Sequence, residues 1–534
     1  MCGPAVFTLS CPDVSYEARI LVRRCSNHGR GRITLQVNCV VIKGEKNMKR
    51  PETVGALRKS EYASITVKDE IRANVLRRLK KRETLFPGII GYDKTVIPQL
   101  VNALLSRHDI ILLGLRGQAK SKILRLLVEF LDDAIPVLRH APMNDDPFDP
   151  ASAAGRSIIA AEGDQAAVDW LPREARFGEK LATPDVTIAD LIGDLDPIKA
   201  AREKLDFSDP EVIHYGIIPR CNRGLFAINE LPDLQPRIQV GLLNILEEND
   251  IQIRGFPVRI SLDMLMLFSA NPEDYTNRGN IITPLKDRID SQIITHYPAN
   301  LKDALAITDQ VAWVQRGTVL EIPQLAKEVV EVVAFEARAS EFVDQSSGVS
   351  ARVSIAALEN VVSNAERRSI RMGSKSACVR MIDIVSSLPA ITGKIELVYE
   401  GEQEGPLRVG MALIGKAALN VFNRYCADPK RNVEETGEES DYVDVLAYFS
   451  SGKTLDLRDD DTDDDHGAHL RSVNGLEVLA DRFFDVNTAA EKGVAMEIIL
   501  EGLHQHNLLA REATDEAFLY TDMLATMLKS PNPE

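Results

Sequence analysis

No stretch of the 534 residues approaches the ~18 consecutive apolar positions that a membrane-spanning helix requires. The seven cysteines (Cys2, Cys11, Cys25, Cys39, Cys221, Cys378 and Cys426) form no C-x-x-C pair and no Cys/His cluster at zinc spacing. Free thiols in a reducing compartment are therefore expected. The amino-terminal end lacks the basic start and continuous apolar core of a signal peptide. Positive charge is also short, with 63 Lys and Arg against 79 Asp and Glu, a net charge of -16. Nucleic-acid binding is not expected of such a balance, because phosphate backbones demand clustered basic residues. What remains is a soluble, cytoplasmic, globular class, 45% hydrophobic and 27% charged, long enough for roughly two to four domains.

Residues 1–47 differ from the rest. They hold four of the seven cysteines and seven basic residues against three acidic, which leaves -20 for the remainder. A native start at Met48 would explain the contrast. The chain is accordingly divided into an extension over 1–72, an α/β nucleotide-binding domain over 73–300, a helical lid over 301–390 and a mostly helical region over 391–534.

The densest chemical signal runs from Asp109 to Ser121. Ile110 to Leu113 form an apolar run suited to a buried strand, and from Lys122 apolar residues recur at helical spacing. Gly114, Lys120 and Ser121 between them fit G-x-x-x-x-G-K-[ST], with Gly117 inside the loop and Ala119 where the last Gly belongs. In such a loop backbone N–H groups cradle phosphate, Lys120 reaches the β- and γ-phosphates, and Ser121 holds Mg²⁺. Ala119 is tolerated if it takes a helical φ, and is not if the loop needs φ > 0 there.

Two further apolar runs end in polar residues. Gly224 to Asn229 leads into Glu230, which is suited to orienting or deprotonating a water, and Met264 to Ala270 leads into Asn271. Strands ending at Gly114, Glu230 and Asn271 would open onto one crevice, as parallel sheets require. A nucleotide hydrolase normally has an Asp before the catalytic acid to hold the metal. Here Asn229 can reach a metal only through a water, so Asn229→Asp is expected to raise hydrolysis. The segments 73–83 and 92–106 read as helices, 135–140 as a strand, and 251–260 as a hairpin around Gly255. Residues 141–150, rich in Pro and Asp, cannot be helical.

The order of these signals from Phe86 to about Ser369 resembles AAA+ ATPases of the helix-2-insert clade. Within it the chain resembles the ATPase subunit of magnesium chelatase, with MoxR-type ATPases as relatives. The residues Phe86 to Gly91 look like the motif beside the adenine, 142–150 are similar to the chelatase subunit's Pro-Phe-Asn and Asp-Pro segment, and the hairpin resembles the insertion before sensor 1. The resemblance implies ATP and Mg²⁺ as cofactors. It implies Gly91, Gly114, Gly117, Ala119, Lys120 and Ser121 at the nucleotide, with Ser121 and, through water, Asn229 at the metal. Glu230 takes the catalytic acid's place, Asn271 that of sensor 1, Arg288 that of a finger acting on the neighbouring subunit, and Arg352 that of sensor 2. It also implies a homo-oligomeric ring, expected to be a hexamer, and a separate partner with a metal-ion-binding integrin-type domain.

The fold class expected is therefore a three-layer P-loop α/β domain, then a helical lid and a mostly helical carboxyl-terminal region. In that region 391–400 reads as a strand or connector, 406–425 as a helix, 459–465 as a solvated acidic loop, and 476–528 as helical. Function reads as an ATP-driven motor that remodels a partner complex or assists metal insertion. The alternatives are a nucleotide-bound switch that hydrolyses little because of Asn229, and a sigma-54-type regulator, disfavoured because its signature loop and a helix-turn-helix pattern are missing.

Overall fold

The structure, a computed structural model, describes residues 50–204, 212–253, 259–271, 280–316, 319–374, 376–430, 440–513 and 517–523. Residues 1–47 and the tip of the expected hairpin at Gly255 lie outside them.

Five short strands make one parallel sheet. They are β1 (Ile110–Leu113), β2 (Phe177–Leu181), β3 (Gly224–Asn229), β4 (Met264–Ala270) and β5 (Ser291–Ile294), in the order β5-β1-β4-β3-β2. Register aligns Leu113 with both Ala270 and Ile294, and Phe268 with Ile228. Gly114, Glu230, Asn271 and Thr295 thus all follow directly from strands at one edge.

The inner strands β1, β3 and β4 are apolar along their buried length except at Asn229 and Ser269, because both faces are covered. Ile110, Leu112, Leu225, Ala227, Leu265 and Leu267 pack toward the helices Val67–Lys80, Val96–Leu105 and Lys120–Leu126. Ile111, Phe226, Ile228, Met264, Met266 and Phe268 pack toward the opposite layer. Alternation across the sheet yields three layers, as expected. Phe226 and Phe268 are fully buried, each contributing about 1.5–3 kcal/mol.

The helix expected over 73–83 starts at Val67, because the Thr66 side chain accepts from Asp69 N and caps it, while Val67, Ile71 and Val75 bury one face. The helix expected from Tyr92 begins at Val96. The strand near 135–140 forms as Ala134–Leu138 but pairs antiparallel with Val168–Pro172, outside the main sheet. The hairpin forms from Asp250–Gln252 and Arg259–Ser261.

Beyond the sheet, one continuous apolar core runs from Leu325 to Tyr520. Its long helices are Gln324–Ala339, Arg352–Met372, Pro406–Tyr425 and Ala489–Gln505. Two expectations fail here. The 476–528 stretch is not helical throughout: after the helix that ends at Gln505, Leu509–Ala513 and Ala517–Asp522 are strands that join Leu455–Arg458 in an antiparallel sheet, and residues 524–528 lie outside the described ones. The acidic run is no solvated loop either. Asp459 is buried against Arg368 at 3.2 Å, and Thr462 caps a helix that begins at Asp463. Carboxylates in a first turn are favourable there. Ile391 closes a short helix, Leu388–Thr392, and the connector pairs with the rest through a bridge from Leu397 to Val343. Among the described residues no helix is long and apolar enough to cross a membrane.

Candidate functional site

Two adjoining cavities open at the carboxyl edge of the sheet. One, of about 510 Å³, is lined by the loop and helix start from Arg116 to Lys122, with Arg125, Leu126, Glu230 and Arg352. The other, of about 200 Å³, has apolar walls including Ile89, Ile90, Ile307, Val311 and Ile355. Gly117, Gln118, Ala119, Lys122 and Arg352 line both. A polar chamber and an apolar slot sharing one loop suit a ligand with an anionic end and a flat apolar end.

The loop is held from several sides. Tyr92 OH donates to Gln118 O at 3.0 Å, or to His296 O at 2.7 Å, and burial pushes its phenol up to about 12. Thr295 Oγ1 donates to Gln118 Oε1 at 2.7 Å. Lys122 Nζ donates to Gly88 O at 2.8 Å, fastening the segment 86–91 to the loop helix. Gly91 has φ +81° and does not itself line either cavity. Lys120, nearly buried, donates to the carbonyl oxygens of Gly114 and Leu115. A Cβ on Gly114 would overlap Thr295 Oγ1 and Gln118 Oε1.

Ala119 takes φ 59°, ψ 15°, the left-handed region. The loop therefore does require φ > 0 at this position, the condition expected to exclude Ala; that expectation fails, because Ala takes the left-handed conformation at a cost of only about 1–2 kcal/mol. Glu230 is likewise left-handed, at φ 54°, which turns the chain away from β3 as the acid reaches the cavity.

The remaining positions are less uniform. Asn271 Oδ1 is buried with no hydrogen-bond partner among the described residues. Arg352 opens the helix Arg352–Met372 and brings its start to both cavities. Arg288 ends the helix Thr283–Arg288 and points to Glu247, 2.6 Å away, not into this chain's own cavity. Asn229 is not among the lining residues. Its Nδ2 donates to Glu179 Oε1 at 2.5 Å and its Oδ1 accepts from Ser269 Oγ at 2.8 Å. Both ends of the amide are engaged, so the expectation that Asn229→Asp raises hydrolysis meets a carboxylate already in place.

Among the described residues no group of three or more His, Cys, Asp or Glu could hold a metal by itself. The donors that line the chamber, the Ser121 hydroxyl and Glu230, fit a cation that arrives with phosphate oxygens, the usual manner of Mg²⁺. Sequence reasoning missed Tyr92, Gln118, Arg125, Glu179, Thr295 and Ser350. Only Glu179 carried a signal, as one of two charges inside the short run 177–181.

No protein-family model and no curated protein matches the chain. Among solved structures it is similar to a candidate ATPase from Cytophaga hutchinsonii, with 15% identity over 65% of this chain and 95% of that one and a TM-score of 0.28. It is similar to NtrX from Brucella abortus, with 16% identity, 68% and 70% coverage and a TM-score of 0.34. A third is the complex of BchI and BchD of magnesium chelatase, with 15% identity, 60% and 98% coverage and a TM-score of 0.30.

Proposed function

We propose that the chain binds ATP with Mg²⁺ across the paired cavities and hydrolyses it, as an AAA+ motor of the magnesium chelatase or MoxR type that remodels a partner complex. The observation that carries this reading is the sharing of Gly117 to Ala119 and Arg352 between a polar chamber and an apolar slot. The slot takes the adenine, and Lys120 and Arg352 take the phosphates. Ser121 holds Mg²⁺, which neutralises charge on the β- and γ-phosphates. Glu230 accepts a proton from the attacking water and Asn271, with its spare acceptor, orients that water. The motor works as a homo-oligomeric ring in the cytoplasm, beside a separate partner with an integrin-type domain.

The test is titration with a fluorescent ATP analogue. Wild type should bind, and Lys120→Ala should lose affinity by at least about tenfold, since it deletes a charged phosphate contact. Equal affinity for the two proteins would overturn the reading. Glu230→Gln should still bind ATP and lose hydrolysis.

A second reading, a nucleotide-held switch, is favoured by one observation: the amide of Asn229 stands where an acid is usual and is fully engaged. Comparison of single-turnover with multiple-turnover hydrolysis separates the two. A motor releases ADP and turns over again, whereas a switch retains one nucleotide per chain.

A further inference from the structure

The carboxylate missing at Asn229 has a nearby substitute. Glu179 lies on β2, in register with Ala227 of β3, and Leu181 is in register with Asn229. Glu179 and Asn229 therefore project from the same face of neighbouring strands, the face that Ala227 turns toward Ile123 and Leu124 of the phosphate-loop helix. One Glu179 oxygen accepts from Asn229 Nδ2 at 2.5 Å, and Asn229 passes the connection on through its Oδ1 to Ser269 Oγ at 2.8 Å. The Ser269 oxygen in turn accepts from the backbone N of Glu230 at 3.4 Å. From the other side Arg125 reaches Glu179 through Nε at 2.8 Å and Nη2 at 3.1 Å. Arg125 is four residues beyond Ser121, so the two share one helix face, and both line the phosphate chamber.

We infer that Glu179, on the neighbouring strand and outside the lining of the phosphate chamber, supplies the negative charge that Asn229 lacks, and that Asn229 and Arg125 hold it in place. The inference rests on the nucleotide-site reading above. Arg125 grips both Glu179 oxygens in a fork, which fixes the carboxylate and offsets part of its charge, while the 64% exposure of the Arg125 side chain leaves the guanidinium shared with solvent. Glu179 acts through the waters and side chains around the cation, and it is a positioning residue. Asn229→Asp would set two carboxylates against each other and weaken the site, contrary to what the sequence alone suggested.

The experiment compares wild type, Glu179→Gln, Asn229→Asp and the double exchange Glu179→Gln/Asn229→Asp. The readout is affinity for a fluorescent ATP analogue with Mg²⁺ and with EDTA, with thermal melting as the check on folding and hydrolysis measured alongside. Each single variant should lose roughly 10–100-fold in the Mg²⁺-dependent part of the affinity, the usual cost of removing an outer-shell partner, with EDTA affinity unchanged. The double variant, which restores one acid and one amide in exchanged positions, should recover to within about threefold of wild type. Glu179→Gln with wild-type Mg²⁺ dependence overturns the inference. So does a folded double variant no better than the worse single one. Failure of wild type to bind nucleotide removes the underlying reading and the inference with it, and this is seen in the wild-type titration alone.

Discussion

A Cβ on Gly117, inside the phosphate loop, would overlap Ser350 Oγ at the base of the lid. Loop and lid are packed so closely that the contact admits no side chain, and φ +78° at Gly117 disfavours one independently. Gly117→Ala is therefore expected to separate lid from loop. It should cost about 1–3 kcal/mol of stability and weaken nucleotide binding, because Arg352 stands two residues beyond Ser350. Melting and titration of the same preparation check this, and unchanged values in both would show that the junction is not tight.

Ala119 gives the opposite expectation. Its left-handed φ of 59° is strained for any residue with a Cβ. Ala119→Gly should relieve about 1 kcal/mol or slightly more, outweighing the greater freedom of Gly in the unfolded chain. Denaturant midpoints would rise while nucleotide affinity is retained. A lower midpoint would mean that the methyl group makes contacts worth more than the strain.

The parts of the site legible in the sequence are those fixed locally. The runs Ile110–Leu113 and Met264–Ala270 are apolar at every position but Ser269 because both sheet faces are covered, and their polar successors mark the crevice without any knowledge of pairing. What was not legible depends on distant partners. Glu179 sits on a short edge strand beside Lys180, and nothing in residues 177–181 says that Asn229 and Arg125 will meet it. Asp459 looks like one more charge in an acidic run until Arg368, ninety-one residues earlier, comes to lie against it. The strand Leu509–Ala513 contains Ala, Arg and Glu in helical proportion, and only its pairing with Ala517–Asp522, which itself pairs with Leu455–Arg458, makes it part of a sheet.

Stability should also depend on pH through Asp263. Both its carboxyl oxygens accept from Val67 N at 3.0 Å, yet burial dominates and raises its pKa from 3.8 to about 6. A carboxyl with a raised folded-state pKa binds its proton more tightly when folded, so its contribution is complete below about pH 4 and is lost as pH rises toward 6. The loss amounts to at most roughly 3 kcal/mol. Asp263→Asn should flatten that part of the profile of unfolding free energy against pH. An unchanged slope between pH 4 and 6 would place the proton elsewhere.

Arg288 carries the last expectation, that the active form is a ring in which this residue completes the neighbour's site. Within one chain it is bound to Glu247 at 2.6 Å and to Pro284 O at 3.0 Å, outside its own phosphate chamber. The Glu247 side chain is 54% exposed, so giving up the pair costs no more than about 1 kcal/mol. A finger supplied in trans is worth on the order of 10³–10⁵ in rate, far more than that cost. Arg288→Ala should leave ATP affinity nearly intact, since the residue touches neither cavity, and lower hydrolysis sharply. Mixed with wild type it should poison assemblies, so that activity falls faster than the mutant fraction rises. Hydrolysis across mixing ratios, with assembly mass by light scattering in ATP, decides the matter. Strictly linear loss from a protein that stays monomeric with nucleotide would leave Arg288 as the partner of Glu247 and nothing more.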